Sequence, residues 1–431
     1  MAVIVLTAVC LPSCSSDQSA DAGDIIATIP SDASLVAVAN TKAILEKAGC
    51  KVNGEKITAS KEVTSAIGNI KNPGMRKFAQ ALASGESGID PSVTVVFQIG
   101  YYYYITGFLA DPGSFKKAVK EDAGMNFEAQ DGIDIAGNIA VSGNRYWVNL
   151  NQHFIDPKEV KHFTTLDESQ SFMSNRYADR LCKISTDIEG WGNISGILRT
   201  LDMPFQRQAT AQIALQTLFE DPASFSFSMT VNDNELKGDF AIINSKGNIA
   251  KYILPAENID MKQVESIGGK GEMLFAVAIP NKLIKKLTEE TSSKSPSMLG
   301  LYLQGMTGLD GTAAVAFNEK GDMKGVISTN GKNLSPLTML LDEQQINVTR
   351  DGDALRISKG AAMDGAEIST LASPLKGAIA GVSMATRAGR PFKAAGISAF
   401  SLRQEGKGIK LSFMMRSDDK KENILLSALA E

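Results

Sequence analysis

The residues that most clearly encode a chemical step lie at the start of the chain. An apolar run from Ala2 to Leu11 leads through Pro12 and Ser13 to Cys14. A cleaved signal sequence needs about 7–15 apolar residues and a spanning helix about 20, so this run is too short to stay as an anchor. Leucine three residues before a cysteine, with a small residue directly before it, is the pattern that a lipoprotein signal peptidase cleaves. We therefore predict a signal peptide over residues 1–13 and lipid attachment at Cys14.

This segment departs from the usual pattern in two ways, because no Lys or Arg precedes Cys14 and Pro12 is unusual at its position. The alternative is an accidental apolar start with a buried cysteine. The residues after Cys14 are small, polar and acidic, which predicts a solvated, lipidated tether over residues 14–28. The expected location is the cell envelope, as an outer-membrane lipoprotein held to the membrane through Cys14. Its periplasmic or surface face stays open.

The other residue sets that carry out catalysis are incomplete in this sequence. The two histidines, His153 and His162, lack the spacing of a metal site, and we predict neither a metal nor a cofactor. The segment 381–385 has the small residues of a nucleophile elbow around Ser383 but no histidine after it, and the Ser114–Lys117 pattern lacks the other motifs of penicillin-binding enzymes. We predict no catalytic residue, although the 48 acidic residues leave a carboxylate-based hydrolase open.

Aromatic residues are concentrated in three places. Tyr101 to Tyr104 are consecutive, Tyr146 precedes Trp147, and Trp191 stands alone. Alternate residues of a strand face opposite sides, so Tyr102 and Tyr104 share one face. We predict a ligand-binding surface formed by Tyr102, Tyr104, Trp147 and Trp191, with ordinary packing of aromatic side chains between strands as the favoured alternative.

Two cysteines remain in the mature chain, Cys50 and Cys182. A disulfide between them would close a long loop in an oxidising compartment and stabilise the fold by about 4–5 kcal/mol. Neither residue belongs to a paired cysteine motif, which favours two buried free thiols.

Composition indicates a globular chain with two or three cores. The 431 residues are 43% hydrophobic and 21% charged, with a net charge of −4. A block of Lys and Arg is missing, which argues against a nucleic-acid partner.

An internal repeat predicts how the chain is organised. Leu35 to Ala39 recurs as Leu274 to Ala278, each an apolar strand before a helix, and later hairpins recur in the same order. This pattern predicts a first α+β repeat over residues 29–262, with a helical insertion near 199–220, and a second over 263–431. The order of elements in each half is close to ferredoxin-like βαββαβ, so we expect tandemly duplicated antiparallel sheets with helices on one face and a cleft along the joint.

The stretches 29–38, 42–49 and 107–116 resemble a family of uncharacterised Bacteroides-type envelope lipoproteins built on a domain of unknown function. The resemblance spans most of the mature chain, implies an envelope location and supplies no catalytic residues. The function expected from the sequence is a non-enzymatic binding or assembly module for an envelope protein or glycan. An envelope hydrolase and a carrier of apolar molecules are the alternatives.

Overall fold

The computed structural model describes residues 20–47, 49–53, 56–70, 73–200, 205–292, 306–332, 334–387 and 394–424. The predicted signal peptide and Cys14 lie outside these residues. Across the described ranges, no helix is both long and apolar enough to cross a membrane.

Strands make up the larger part of the fold. In chain order they are β1 Ala20–Asp21, β2 Leu35–Ala39, β3 Lys51–Asn53, β4 Lys56–Thr58, β5 Ile89–Ile99, β6 Tyr102–Leu109, β7 Glu128–Gln130, β8 Ile133–Ala136, β9 Ile139–Ser142, β10 Arg145–Asn149, β11 Lys183–Ile184, β12 Ile188–Asn193, β13 Pro222–Asn232, β14 Glu235–Asn244, β15 Lys270–Gly271, β16 Met273–Ile279, β17 Leu309–Phe317, β18 Met323–Thr329, β19 Asn347–Asp351, β20 Ala354–Lys359, β21 Ala366–Glu367, β22 Ala378–Thr386, β23 Gly396–Glu405 and β24 Gly408–Ser417.

Helices connect and cover the strands. They are α1 Gly23–Ile26, α2 Thr41–Glu46, α3 Lys61–Gly68, α4 Pro73–Ser84, α5 Pro112–Ala123, α6 Pro157–Thr164, α7 Ala178–Cys182, α8 Ile194–Thr200, α9 Phe205–Leu218, α10 Met261–Glu265, α11 Asn281–Ser292, α12 Ser335–Glu343 and α13 Ile368–Ala372, with short 3-10 helices at Phe172–Ser174 and Ser373–Leu375.

Among the described residues, eighteen strands form one continuous antiparallel sheet, and the other six form three separate two-stranded pairs. The strand order is β7-β8-β9-β10-β6-β5-β2-β12-β13-β14-β24-β23-β22-β16-β17-β18-β20-β19. The sheet therefore has two ends, β7 and β19, which do not pair with each other among the described residues.

The predicted α+β class is confirmed, because 28% of the residues are helical and 41% are in strands. The predicted ferredoxin-like halves are wrong. Each half contributes far more strands than the four of that order, both halves share one sheet, and helices cover both faces. The strands of each half nevertheless pair in a similar order, and the two series meet where β14 pairs with β24.

The local elements follow the turn and capping residues of the sequence. Hairpins turn at Asp131-Gly132, Gly143-Asn144 and Gly352-Asp353. Asn40 caps α2 by accepting a hydrogen bond from the Ala43 amide at 3.0 Å. Asp111 caps α5 in the same way, accepting from the Gly113 amide at 2.8 Å.

Helices pack on both faces of the sheet, which we call face A and face B. Face A carries two large cores. The first joins α1, α6 and α7 to residues such as Val36, Phe97 and Trp147. The second joins α10 and α13 to residues such as Leu274 and Val326. On face B, α2 to α5, α8 and α9 cover the first half, and α12 covers the far end of the second.

Two predicted boundaries move. The tether was expected to reach residue 28, but Ala22, Ile25 and Ile26 are fully buried in the first core, so the packed body already includes α1. The joint was expected at 262/263, yet Ile259 and Val264 pack in the second core and the Ile259 amide bonds to the Ala378 carbonyl at 2.8 Å. Burial of these apolar side chains places the start of the second half before residue 259.

Candidate binding surface

The predicted aromatic ligand surface does not form. Tyr104, Trp147 and Trp191 lie in the first core, on face A, and have almost no exposed surface. The Tyr104 ring stacks on Phe97 at a centroid distance of 5.1 Å, and Trp191 meets Phe172 edge-on at 5.2 Å. These contacts are the ordinary packing that was the favoured alternative.

Tyr102 alone of the four predicted residues is exposed, at 41%. Its ring lies edge-on to His153 at 5.2 Å. The Tyr104 hydroxyl donates to Glu159 at 2.7 Å. Burial of the hydroxyl is the main reason that the pKa of Tyr104 is raised above its usual value, and the hydrogen bond to Glu159 is the second. The hydroxyl therefore stays protonated and acts as a buried donor.

The two cysteines are free and buried. Cys50 packs with α2 and α3 on face B, whereas Cys182 lies in the first core with its sulfur 3.8 Å from that of Met173. The disulfide that the sequence allowed is therefore absent from this structure, and the alternative of two buried thiols applies. Burial raises the pKa of the Cys50 thiol to about 11, which keeps it protonated and unreactive at neutral pH.

Buried carboxylates are each held by a cation or by amide and hydroxyl donors. Both Asp187 oxygens lie 2.7 Å from Lys47 Nζ, and Asp187 also accepts from the Val231 amide. Glu189 accepts from Arg180 Nε at 3.1 Å. Over the described ranges, no cluster of three or more His, Cys, Asp or Glu side chains could hold a metal ion. These pairs are structural, because their charges are already neutralised locally.

The surface with the most unusual chemistry is the part of face B formed by β16, β22, β23 and β24. Phe275 pairs with Val382, Val382 with Phe400, and Phe400 with Phe413, so these side chains form one row across four strands. Large apolar side chains on this face remain exposed: Phe400 50%, Phe275 46%, Met384 39%, Leu411 38% and Leu402 37%. We call this surface the open apolar face.

None of the described positions on the open apolar face is charged. They are Met273, Phe275, Val277, Ile279, Ala380, Val382, Met384, Thr386, Gly396, Ser398, Phe400, Leu402, Gln404, Ile409, Leu411, Phe413, Met415 and Ser417. At the rim, the chain itself buries Gly396, Ser398, Ile409 and Ser417, and Met415 packs with Ile424. A contiguous exposed apolar surface without charged positions is typical of interaction sites, which makes this face the candidate binding surface.

On the opposite side, face A, β16 and β22 contribute to the second apolar core, whereas β23 and β24 present polar side chains such as Ser401 and Arg403. Where β14, β24 and β23 meet, a groove of about 260 Å³ is lined by residues including Asp239, Arg403 and Ser412. Arg403 donates to the Lys376 carbonyl at 2.7 Å and the Pro374 carbonyl at 2.5 Å, and Ser412 donates to Asp239 at 2.6 Å. Arg403 and Asp239 are thus occupied within the chain, which makes this groove the weaker candidate.

Sequence reasoning missed the open apolar face for a physical reason. Its residues come from four strands that are separated in the sequence. Which of them share a face is defined only once the register of the strands is known. The local signals were the alternation of Phe400 and Leu402 on β23 and of Leu411 and Phe413 on β24.

No family model and no curated protein matches this chain. Among solved structures it is similar to two crystal forms of TP0453. Form I gives a TM-score of 0.28 at 9% identity over 78% of this chain and 91% of that one. Form III gives 0.30 at 9% identity over 81% and 96%.

Proposed function

We propose that this protein is a lipid-anchored cell-envelope protein whose folded body is a non-enzymatic binding module. The open apolar face is the observation that carries the proposal, because its exposed phenylalanine, leucine and methionine side chains have uncharged strand neighbours on the same face, a combination typical of interaction sites. The lipobox ending at Cys14 supports attachment to the outer membrane, with the leaflet open. The resemblance to uncharacterised Bacteroides-type envelope lipoproteins supports the same location.

A binding role is favoured over the two alternatives by what the described residues do. The buried carboxylates Asp187 and Glu189 are paired with Lys47 and Arg180, so they are not poised for general acid or base chemistry. A carrier of apolar molecules needs a concave apolar site, whereas the groove found at β14–β24 is lined by Lys237, Asp239 and Arg403.

The anchoring part of the proposal is tested by fatty-acid labelling in a strain that expresses the chain from its natural start. We expect the wild-type protein to incorporate the label and Cys14→Ser to lose it. Equal labelling of both would refute lipidation at Cys14.

The binding part is tested with a neutral solvatochromic dye that fluoresces in apolar surroundings. We expect Phe400→Asp to abolish most of the emission, because a carboxylate at the centre of the face opposes apolar contact. The matched control is Tyr101→Asp, since Tyr101 is also an exposed aromatic residue, at 70%, but lies at the β5–β6 turn. Equal emission from both variants would contradict binding at this face.

A further inference from the structure

The open apolar face leaves five large apolar side chains exposed among the described residues. We propose that its partner is a second copy of this chain, with the two faces packed against each other as a two-sheet sandwich. This inference rests on the proposed function, since it names the partner of the same face.

The chemistry of the face permits burial against itself. Burying an unpaired charge is costly, and charged rims would repel between identical copies. The eighteen positions named above contain no Asp, Glu, Lys, Arg or His. The Glu422 carboxylate lies beside Ser417 at the β24 edge, but it already accepts hydrogen bonds from the Ser417 hydroxyl and the Ala394 amide, so two such faces can meet without burying a new unpaired charge. Packed sheets of this kind lie about 10 Å apart with their side chains interdigitated.

The shape of the face also complements itself. Phe275 and Phe400 protrude on either side of the smaller Val382, two strand spacings or about 9.6 Å apart. Phe413 is half-buried because its ring lies over Gly238 on the next strand. The two phenylalanines form ridges, and Val382 lies in the gap between them. The Phe400 ring of one copy can therefore enter the gap at Val382 of the other copy, and the reverse contact forms at the same time, as a twofold interface requires.

The area fits a modest dimer. Four strands span about 19 Å and seven residues of β16 about 23 Å, a projected face of roughly 400 Å² per copy. Two copies together cover about 800 Å² of projected face, and protruding side chains raise the accessible area buried above that figure, towards the lower limit of about 1,200 Å² for stable interfaces. The lipid anchor at Cys14 would confine both copies to one membrane and raise their effective concentration.

Two other occupants fit less well. Docking on a bilayer surface is usually assisted by Lys and Arg near the apolar residues, and this face has none among its described positions. A small apolar ligand is usually held in a concave site that buries most of its surface. An open sheet face buries only one side of such a ligand.

The experiment is photo-crosslinking of the full chain in its native envelope. A benzophenone amino acid replaces Phe400, or Tyr101 as the control position, and adducts are identified by mass spectrometry. We expect an adduct of two copies of this chain from position 400 and none from position 101. A second change, Phe275→Asp, is expected to lower the yield of that adduct at least about tenfold, because it places a charge in the packed faces.

The possible failures are distinguishable. An adduct of position 400 with a lipid or with a different protein overturns the second copy as partner but leaves the face as a binding surface. No adduct at position 400, together with unchanged dye binding in Phe400→Asp, overturns both this inference and the proposed function. Circular dichroism of Phe275→Asp separates loss of the interface from loss of the fold.

Discussion

Thr106 and Trp147 lie directly opposite each other on β6 and β10, inside the first core. The Thr106 hydroxyl and the Trp147 indole N–H have no hydrogen-bond partner among the described residues. An unpartnered buried polar atom loses its water without a replacement, so this pair is a local weakness in the first core.

Replacing Thr106 with valine keeps the shape and removes the unpartnered oxygen. We expect Thr106→Val to raise the free energy of unfolding by about 1 kcal/mol, measured by urea denaturation. Thr94→Val is the matched control, because the Thr94 hydroxyl accepts a hydrogen bond from Thr41 at 2.9 Å and its loss should destabilise by a similar amount. A loss of stability in both variants would mean that Thr106 is hydrogen-bonded after all, through an internal water.

The thiols give a second prediction for single residues. A pKa of about 11 leaves the Cys50 thiolate scarce at pH 8, and Cys182 is also buried with its pKa raised. We expect iodoacetamide to modify neither residue in the folded protein and both after unfolding in denaturant without a reductant. If both thiols stay unmodified until a reductant is added, Cys50 and Cys182 are bonded.

Single elements were largely predictable, whereas their pairing was not. Turn residues such as Asp131-Gly132 fix a hairpin locally, and the cap at Asn40 fixes the start of α2. The internal repeat aligns Leu35 with Leu274, which is one residue out of register. Leu274 is buried in the second core, and the residue buried in the same way on β2 is Val36, whereas Leu35 points to face B. A shift of one residue exchanges the two faces of a strand, so the sequence pattern could not show that face B of the second half is open.

Aromatic rings that lie over glycines are a feature of several neighbouring strands. A Cβ at Gly238 would lie 2.0 Å from Phe413, and one at Gly190 would lie 2.2 Å from Phe227. The missing side chain lets each ring rest on the strand beside it, which is how aromatic residues compensate for glycine in sheets.

We expect Gly238→Ala to lower the free energy of unfolding by about 1–3 kcal/mol, because the new methyl group displaces the Phe413 ring where the two halves pair. Gly68→Ala is the control, since its added Cβ meets nothing within 4 Å at the end of α3 and should leave stability unchanged or slightly higher. Thermal unfolding followed by circular dichroism compares the two. Equal midpoints would show that the ring moves aside without cost.

At the scale of the whole molecule, the two halves are joined by main-chain pairing. Seven residue pairs, from Glu235–Arg416 to Ala241–Lys410, connect β14 to β24 and make the sheet continuous. A sheet that runs without a break through both cores predicts that they unfold together, although each core has its own helices. The predicted cleft between two independent lobes implies the opposite behaviour.

The tryptophans allow this question to be decided, because Trp147 and Trp191 both lie in the first core. Leu274 is fully buried in the second core, and Leu274→Ala should cost about 2–5 kcal/mol of stability. If the halves unfold as one unit, Leu274→Ala lowers two urea midpoints by the same amount: the one reported by tryptophan fluorescence and the one reported by far-ultraviolet circular dichroism. The neighbouring variant Phe275→Ala, on the exposed side of the same strand, should have a much smaller effect in dilute protein. A tryptophan midpoint that stays at the wild-type value while the circular dichroism transition splits would show that the β14–β24 pairing does not couple the two cores.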